Sequence, residues 1–396
     1  MKLAGRLDRI EPFYVMECAK AAQRIAASPA CDPARGGERM LFLNIGEPDF
    51  TAPPLVQEAA ERAIRDGRSQ YTDALGLPAL REAISGWYAQ RFGLQIAADR
   101  IMVTAGASAA LQLACLALFE AGDEVLMPDP SYPCNRHFVA AADAQARLLP
   151  TSAAQRFQLD AAAVAQAWGP ATRGVLLASP SNPTGTSIHP DELRRIDAVV
   201  RGHGGVTVVD EIYLGLSYDG TFGHSALQLG EHIISVNSFS KYFSMTGWRL
   251  GWLVLPPALV PAMERLAQNL FICASTIAQH AALACFHADS IAEYERRRAE
   301  FRARRDRVVP ALTKLGLQVP VLPDGAFYAY ADCSAHHPDS WDFAFRLMET
   351  AHVALTPGRD FGRHDPQRWL RLSFASSQAT LDEALHRLQR QLGVQR

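Results

Sequence analysis

Short apolar runs alternate along the chain with longer amphipathic or alanine-rich stretches, the pattern of strands buried between helices. Residues 100–106, 123–129, 172–180, 205–211, 232–238 and 250–256 each read as a buried strand. Among the intervening stretches, SAALQLACLALFEAG (108–122) is apolar nearly all round and predicts a buried helix. From residue 288 the period changes. Ile291, Tyr294, Arg298, Phe301, Arg305, Val308, Leu312 and Leu315 keep a three–four spacing, which predicts one long helix stopping at Gly316. Pro310 falls inside that pattern and predicts a kink or break. Residues 325–332, 340–351 and 368–375 then suggest a smaller α+β unit, and 28–38 reads as a flexible loop. The expected fold is α/β: a large domain with a mainly parallel, seven-stranded-type sheet flanked by helices, plus a smaller α+β domain built from the N-terminal segment and the C-terminal part. The expected boundaries are 1–48, 49–288 and 289–396.

Composition narrows the classes of function. The 396 residues are 48% hydrophobic and 20% charged, ample for a large core. A formal net charge of -2 gives no electrostatic reason to expect nucleic acid or an acidic membrane as partner. The arginines between 296 and 307 are interleaved with Glu293, Glu295, Glu300 and Asp306, as on a salt-laced helix surface. The seven cysteines are odd in number, scattered and without C-x-x-C spacing, so neither a disulfide framework nor a metal site is expected. The pair His336–His337 reads as solvated loop. The start, MKLAGRLDRIEP, lacks the apolar run of a signal peptide, and a cytoplasmic location is expected.

The candidate chemistry lies where the strands end. GVLLASPSNPTG leads from its strand to Asn182, VTVVDEIY ends its strand at Asp210 with Tyr213 three residues on, and IISVNSFSK ends in Ser238 and Lys241. Taken singly, an aspartate after a strand is usually a helix cap and an Asn-Pro a turn. Together they place amide, carboxylate, phenol and amine at the sheet edge where open α/β proteins bind ligands. A pyridine aldehyde uses all four: amine for the imine, carboxylate for the ring nitrogen, phenol and amide for the ring hydroxyl. If the aldehyde carries a phosphate, Arg249, Ser238 and the helix start at Ala107 and Ser108 in TAGASAAL form a cup for it.

In order along the chain, NIGEPDF, YTDALGLPALREAI, TAGAS, DPSYP, SNPTG, DEIY, SFSKYFSMTGWRLG, GAFY and RLSFA resemble the fold-type I, class I/II aminotransferases that use pyridoxal 5′-phosphate. The resemblance implies that Lys241 carries the cofactor as a Schiff base and then moves the substrate's Cα proton. It implies that Asp210 pairs with the ring nitrogen, that Tyr213 and Asn182 bind the ring oxygen, and that Tyr132 stacks on the ring. Arg249, Ser238, Ser108 and the Ala107 backbone would hold the phosphate. Tyr71 would reach the phosphate of a neighbouring subunit, making the active unit a homodimer. Arg371 would take the substrate α-carboxylate, approached by the Gly46 backbone in a segment that closes over the substrate. The Asn182–Pro183 peptide is expected to be cis.

The implied reaction moves an amino group between an L-amino acid and a 2-oxo acid by ping-pong kinetics. Some dicarboxylate-preferring relatives carry a basic residue where this chain has Ser108, which leans the reading toward neutral or aromatic donors. A carbon–sulfur β-lyase or an aminocyclopropane-carboxylate synthase would use the same lysine, aspartate and arginine. A non-catalytic cofactor sensor is a more remote alternative. Such regulators carry a DNA-binding module, and the forty-odd residues before NIGEPDF have no room for one.

Overall fold

The computed structural model describes residues 2–393. Seven strands form one sheet in the spatial order Ile101–Thr104, Gly251–Val254, Ile234–Ser238, Val206–Asp210, Thr172–Ala178, Glu124–Asp129 and Gln145–Pro150. All run in one direction except Gly251–Val254, which is antiparallel to both neighbours. Helices cover both faces, so Ile101–Thr104, Thr172–Ala178, Ile234–Ser238 and Gly251–Val254 are buried along almost their whole length and read as mainly apolar runs, with Ser235 and Asn237 as buried polar exceptions. The helix Gly106–Leu118 is buried round most of its circumference, as its composition requires.

A second unit follows the 27-residue helix Ala288–Lys314. Its three-stranded antiparallel sheet sets Trp369–Ser373 between Thr356–Pro357 and Tyr328–Asp332. The helices Ser340–Thr350 and Gln378–Leu392 belong to the same part of the chain. The N-terminal segment joins it: Leu41 and Phe42 pair in parallel with Val353 and Ala354.

Several expectations need correction. The edge strand Gln145–Pro150 was not anticipated, because it is largely solvent-exposed and lacks a continuous apolar run. Residues 28–38 are built of two short 3-10 turns, with Cys31 buried and the Asp32 carboxylate accepting from the Ala34 amide. Pro310 does not interrupt the helix, which continues to Lys314 and gives way at Gly316, where φ is +81°. His336 and His337 are half-buried against the Phe343 ring, and a His336 ring nitrogen bonds the Leu315 carbonyl.

The arginine-rich helix is only partly a solvated surface. Arg296 and Arg298 pair with Glu293, Glu300 and Glu295 as expected. Arg304, however, is buried and grips Asp49 through two bonds of 2.7 and 2.9 Å, while Arg297 donates to the Thr51 carbonyl at 2.6 Å. The inward arginines thus anchor the segment that enters the large sheet's unit. All seven cysteines are free thiols. Among the described residues no helix is long and apolar enough to cross a membrane, and no cluster of three metal-ligating side chains occurs.

Candidate active site

Three adjacent strands end on one edge and set the polar groups there. Thr172–Ala178 leads to the turn bearing Asn182, Val206–Asp210 ends on Asp210, and Ile234–Ser238 runs into Lys241. The registers Ala178↔Asp210 and Asp210↔Val236 keep these ends level. Because Gly251–Val254 runs the opposite way, its first residue lies beside Ser238 and Thr104, which returns Arg249 to the same edge. A cavity of about 540 Å³ results, lined by Lys241, Asp210, Tyr213, Asn182, Arg249 and Arg371, and also by Gly46, Ala107, Ser108, Tyr132 and Ser238.

Lys241 Nζ donates to the Gly46 carbonyl at 2.6 Å and stands 5.8 Å from the Tyr213 ring centre. Burial pushes its pKa down to about 8. Glu47 pulls the other way, and the charges of Arg371 and Arg249 add to the fall. Asp210 is buried, and burial pushes its carboxyl up to about 6, opposed by the Ile212 amide (3.1 Å) and by Lys241. A cation facing Asp210 would restore its ionised form. Tyr213 Oη shares a hydrogen bond of 2.8 Å with Tyr328 Oη.

Arg371 is 2% exposed and has no acid partner among the described residues. Its Nη1 donates to Asn182 Oδ1 at 2.9 Å, and its Nη2 to the Asn44 carbonyl at 2.6 Å and to Thr356 Oγ1 at 3.3 Å. Its Nε is buried without a partner. A desolvated guanidinium with a spare donor and no ion-pair partner within 4.0 Å is chemically able to take an incoming carboxylate. The Asn182–Pro183 peptide in this wall is cis, as expected.

Arg249 likewise lacks an acid partner; its Nη1 donates only to the Thr246 carbonyl, at 3.0 Å. Its guanidinium lies against Gly106, whose φ of +83° favours glycine and whose missing Cβ leaves room for Nη2. Gly106 opens a 13-residue helix whose first N–H groups, at Ala107 and Ser108, have no partner within the helix. Ser238 Oγ accepts from the Ser240 amide at 3.0 Å, which shapes the turn before Lys241. The unpaired arginine, the free helix start, the buried carboxylate and the lysine match the phosphate, ring nitrogen and aldehyde of a phosphorylated pyridine aldehyde.

Tyr132 lines the cavity, edge-on to Phe13 with ring centres 6.2 Å apart. Tyr71 does not join it. That side chain is 79% exposed and lines a separate hollow beside Arg68 and His280.

Sequence reasoning missed one wall. Phe13 and, from the helix Tyr14–Ala26, Met16, Ala19 and Gln23 face the cavity, with Ile45 beside them. Cys18 and Ala22 on the other side of that helix pack into the core. The spacing 16, 19, 23 puts Met16, Ala19 and Gln23 on one helix face, but nothing in the sequence says what it meets. Tyr328, in GAFY, was also unassigned. Its hydroxyl meets Tyr213, and its ring lies 4.5 Å from the Arg371 guanidinium.

The family model "Aminotransferase class I and II" matches residues 38–388. The valine–pyruvate aminotransferase of Mycobacterium tuberculosis is 37% identical over 380 residues, covering 96% of each chain. The aspartate/prephenate aminotransferase of Thermus thermophilus is 36% identical, over 92% of this chain and 94% of its own. A crystal structure of an aminotransferase from Mycobacterium tuberculosis superposes with a TM-score of 0.93 at 36% identity, with both chains fully covered.

Proposed function

This chain belongs to the class I and II aminotransferases, and on that premise we propose that it moves an amino group between an L-amino acid and a 2-oxo acid in two alternating half-reactions, preferring neutral or aromatic donors. The observation that carries the reading is Arg371, buried without an acid in the same cavity as Lys241 and Asp210.

Pyridoxal 5′-phosphate, which the family uses, supplies when bound a ring that accepts the electrons released at the substrate's Cα. Lys241 Nζ would hold it and, once freed by the substrate's amine, would serve as the base that takes the Cα proton and gives it back. Asp210, buried in the cavity wall, would pair with the ring nitrogen and favour its protonated form. Asn182 uses Oδ1 for Arg371, leaving its amide hydrogens for the ring oxygen. Tyr213 donates to that oxygen and accepts from Tyr328. Tyr132 stacks on the ring. Arg249, Ser238, Ser108 and the Ala107 amide hold the phosphate, with Tyr71 reaching it from a second subunit of a homodimer. Arg371 orients the α-carboxylate, and the Gly46 segment closes over it. We place the division of the chain at 1–48, 49–288 and 289–396, the first piece docked on the third through the Leu41–Val353 pairing.

Charge bookkeeping supports the donor preference. Three cations line the cavity, and the link, the phosphate and the α-carboxylate use all three. The remaining wall of Phe13, Met16, Ala19 and Ile45 suits an uncharged side chain.

A donor screen tests this. Valine-like and aromatic amino acids should each bleach the bound cofactor's absorbance stoichiometrically without an acceptor, and aspartate should have a kcat/KM lower by roughly tenfold or more, the worth of one unpaired carboxylate. Aspartate as the fastest donor would refute the preference. Release of pyruvate and ammonia instead of bleaching would replace transfer by elimination.

The depressed Lys241 pKa gives a second expectation. Only the neutral amine attacks an aldehyde, so the loading rate of cofactor-free protein should rise tenfold per pH unit up to about 8 and level off above it. For an ordinary lysine the plateau would begin near ~10.4. Stopped-flow absorbance from pH 6 to 10 reads the difference.

A further inference from the structure

A second hollow, of about 620 Å³, lies between the outer edge of the large sheet and the two terminal parts of the chain. Arg9, Arg136, Arg147 and Arg363 line it together with His137 and His364. The carboxylates that line it are Glu11 and Asp129. None of these residues takes part in the chemistry above.

The carboxylates do not saturate the site. Asp129 Oδ2 accepts the amides of Arg363 (2.9 Å) and His364 (3.1 Å), so it holds the turn that presents Arg363. Glu11 bridges Arg136 and Arg363, each at 3.2 Å, from a position two-fifths exposed. Arg9 and Arg147 pair with Asp143 and Glu124, in bonds exposed on at least one side.

Inside, donors are left over. Arg136 is 7% exposed, yet its Nε has no partner, and both ring nitrogens of His137 are buried and unpartnered. An oxyanion entering the hollow would meet charge-assisted donors from the arginines that line it and at most one N–H from the neutral His137 ring.

We propose that this hollow binds a small multivalent oxyanion, a phosphate or a dicarboxylate, through Arg136, His137, Arg147 and Arg363. Arg136 also donates to the Asp360 carbonyl at 3.2 and 3.3 Å. The Asp360 carboxylate in turn accepts the Tyr14 and Val15 amides at 3.0 and 2.9 Å, at the start of the helix that walls the catalytic cavity. An occupied hollow would therefore steady that helix and lower KM for the amino donor.

Calorimetric titration of the cofactor-loaded protein tests this, with inorganic phosphate in one arm and malonate in the other, at ionic strength held constant with chloride. At least one anion should saturate a single site with a Kd below about 1 mM, and the better of the two identifies the source chemistry. In the double variant Arg147→Gln, Arg363→Gln, both surface arginines, affinity should fall roughly tenfold or more. The variant's cofactor absorbance and anion-free KM should stay within about twofold of the parent's, since surface changes of this kind leave the fold intact. Equal affinity in parent and variant, or no saturable heat from either anion up to ~10 mM, overturns the proposal.

Discussion

Lys241→Ala should lower the rate of amino transfer by about 10⁴-fold, because it removes both the covalent attachment point and a proton carrier of the kind worth roughly 10²–10⁴ by itself. Folding should survive the change. The Nζ makes one hydrogen bond, to the Gly46 carbonyl, and no ion pair among the described residues, so circular dichroism and the thermal midpoint should move little. Lys241→Arg separates the two roles. It keeps a cation in the Asp210–Glu47 field but cannot form the link, and its rate should fall as far as the alanine variant's. Either variant turning over at more than about a tenth of the parent rate would show that the amine is not the reacting group.

Arg371→Lys should reduce kcat/KM by about 10²–10³-fold, within the 2–5 kcal/mol measured when one partner of a buried charge pair is lost. The loss should be equal for aliphatic, aromatic and small donors, since the α-carboxylate is common to all. A loss confined to one class of side chain would contradict the assignment. Stability of the substrate-free protein gives an independent reading. A structural ion pair costs about 3–5 kcal/mol when broken, because an orphaned carboxylate stays behind. Arg371 has no such partner, so denaturant unfolding should register only about 1–2 kcal/mol, from weakened bonds to Asn182, Asn44 and Thr356.

How much of this was legible beforehand follows from burial. Strands covered on both faces are mostly apolar, so six of the seven announced themselves, the buried edge strand Ile101–Thr104 among them. The polar residues that follow three of them stand out because they fall at the same ends of neighbouring strands. The seventh strand, Gln145–Pro150, is a largely exposed edge whose residues satisfy water as readily as a core, and it carried no such signal. Lys241, Asp210 and Asn182 were readable from the chain order of three neighbouring strands. Met16, Gln23 and Tyr328 were not, because their place in the cavity depends on contacts between segments far apart in sequence, such as the 115 residues from Tyr213 to Tyr328. The inward arginines of Ala288–Lys314 were misjudged for a related reason. A guanidinium at helical spacing looks solvated until Asp49 and Thr51 are seen to come back to it.

The pairing of Leu41–Phe42 with Val353–Ala354, and the bond from Arg371 to the Asn44 carbonyl across 327 residues, have a consequence during biosynthesis. A nascent polypeptide emerging from the ribosome can complete the sheet carrying Asp210 and Lys241 well before Arg371 has been made. Until the last tenth of the message is translated, the opening residues have no docking strand, and the pocket lacks its carboxylate anchor.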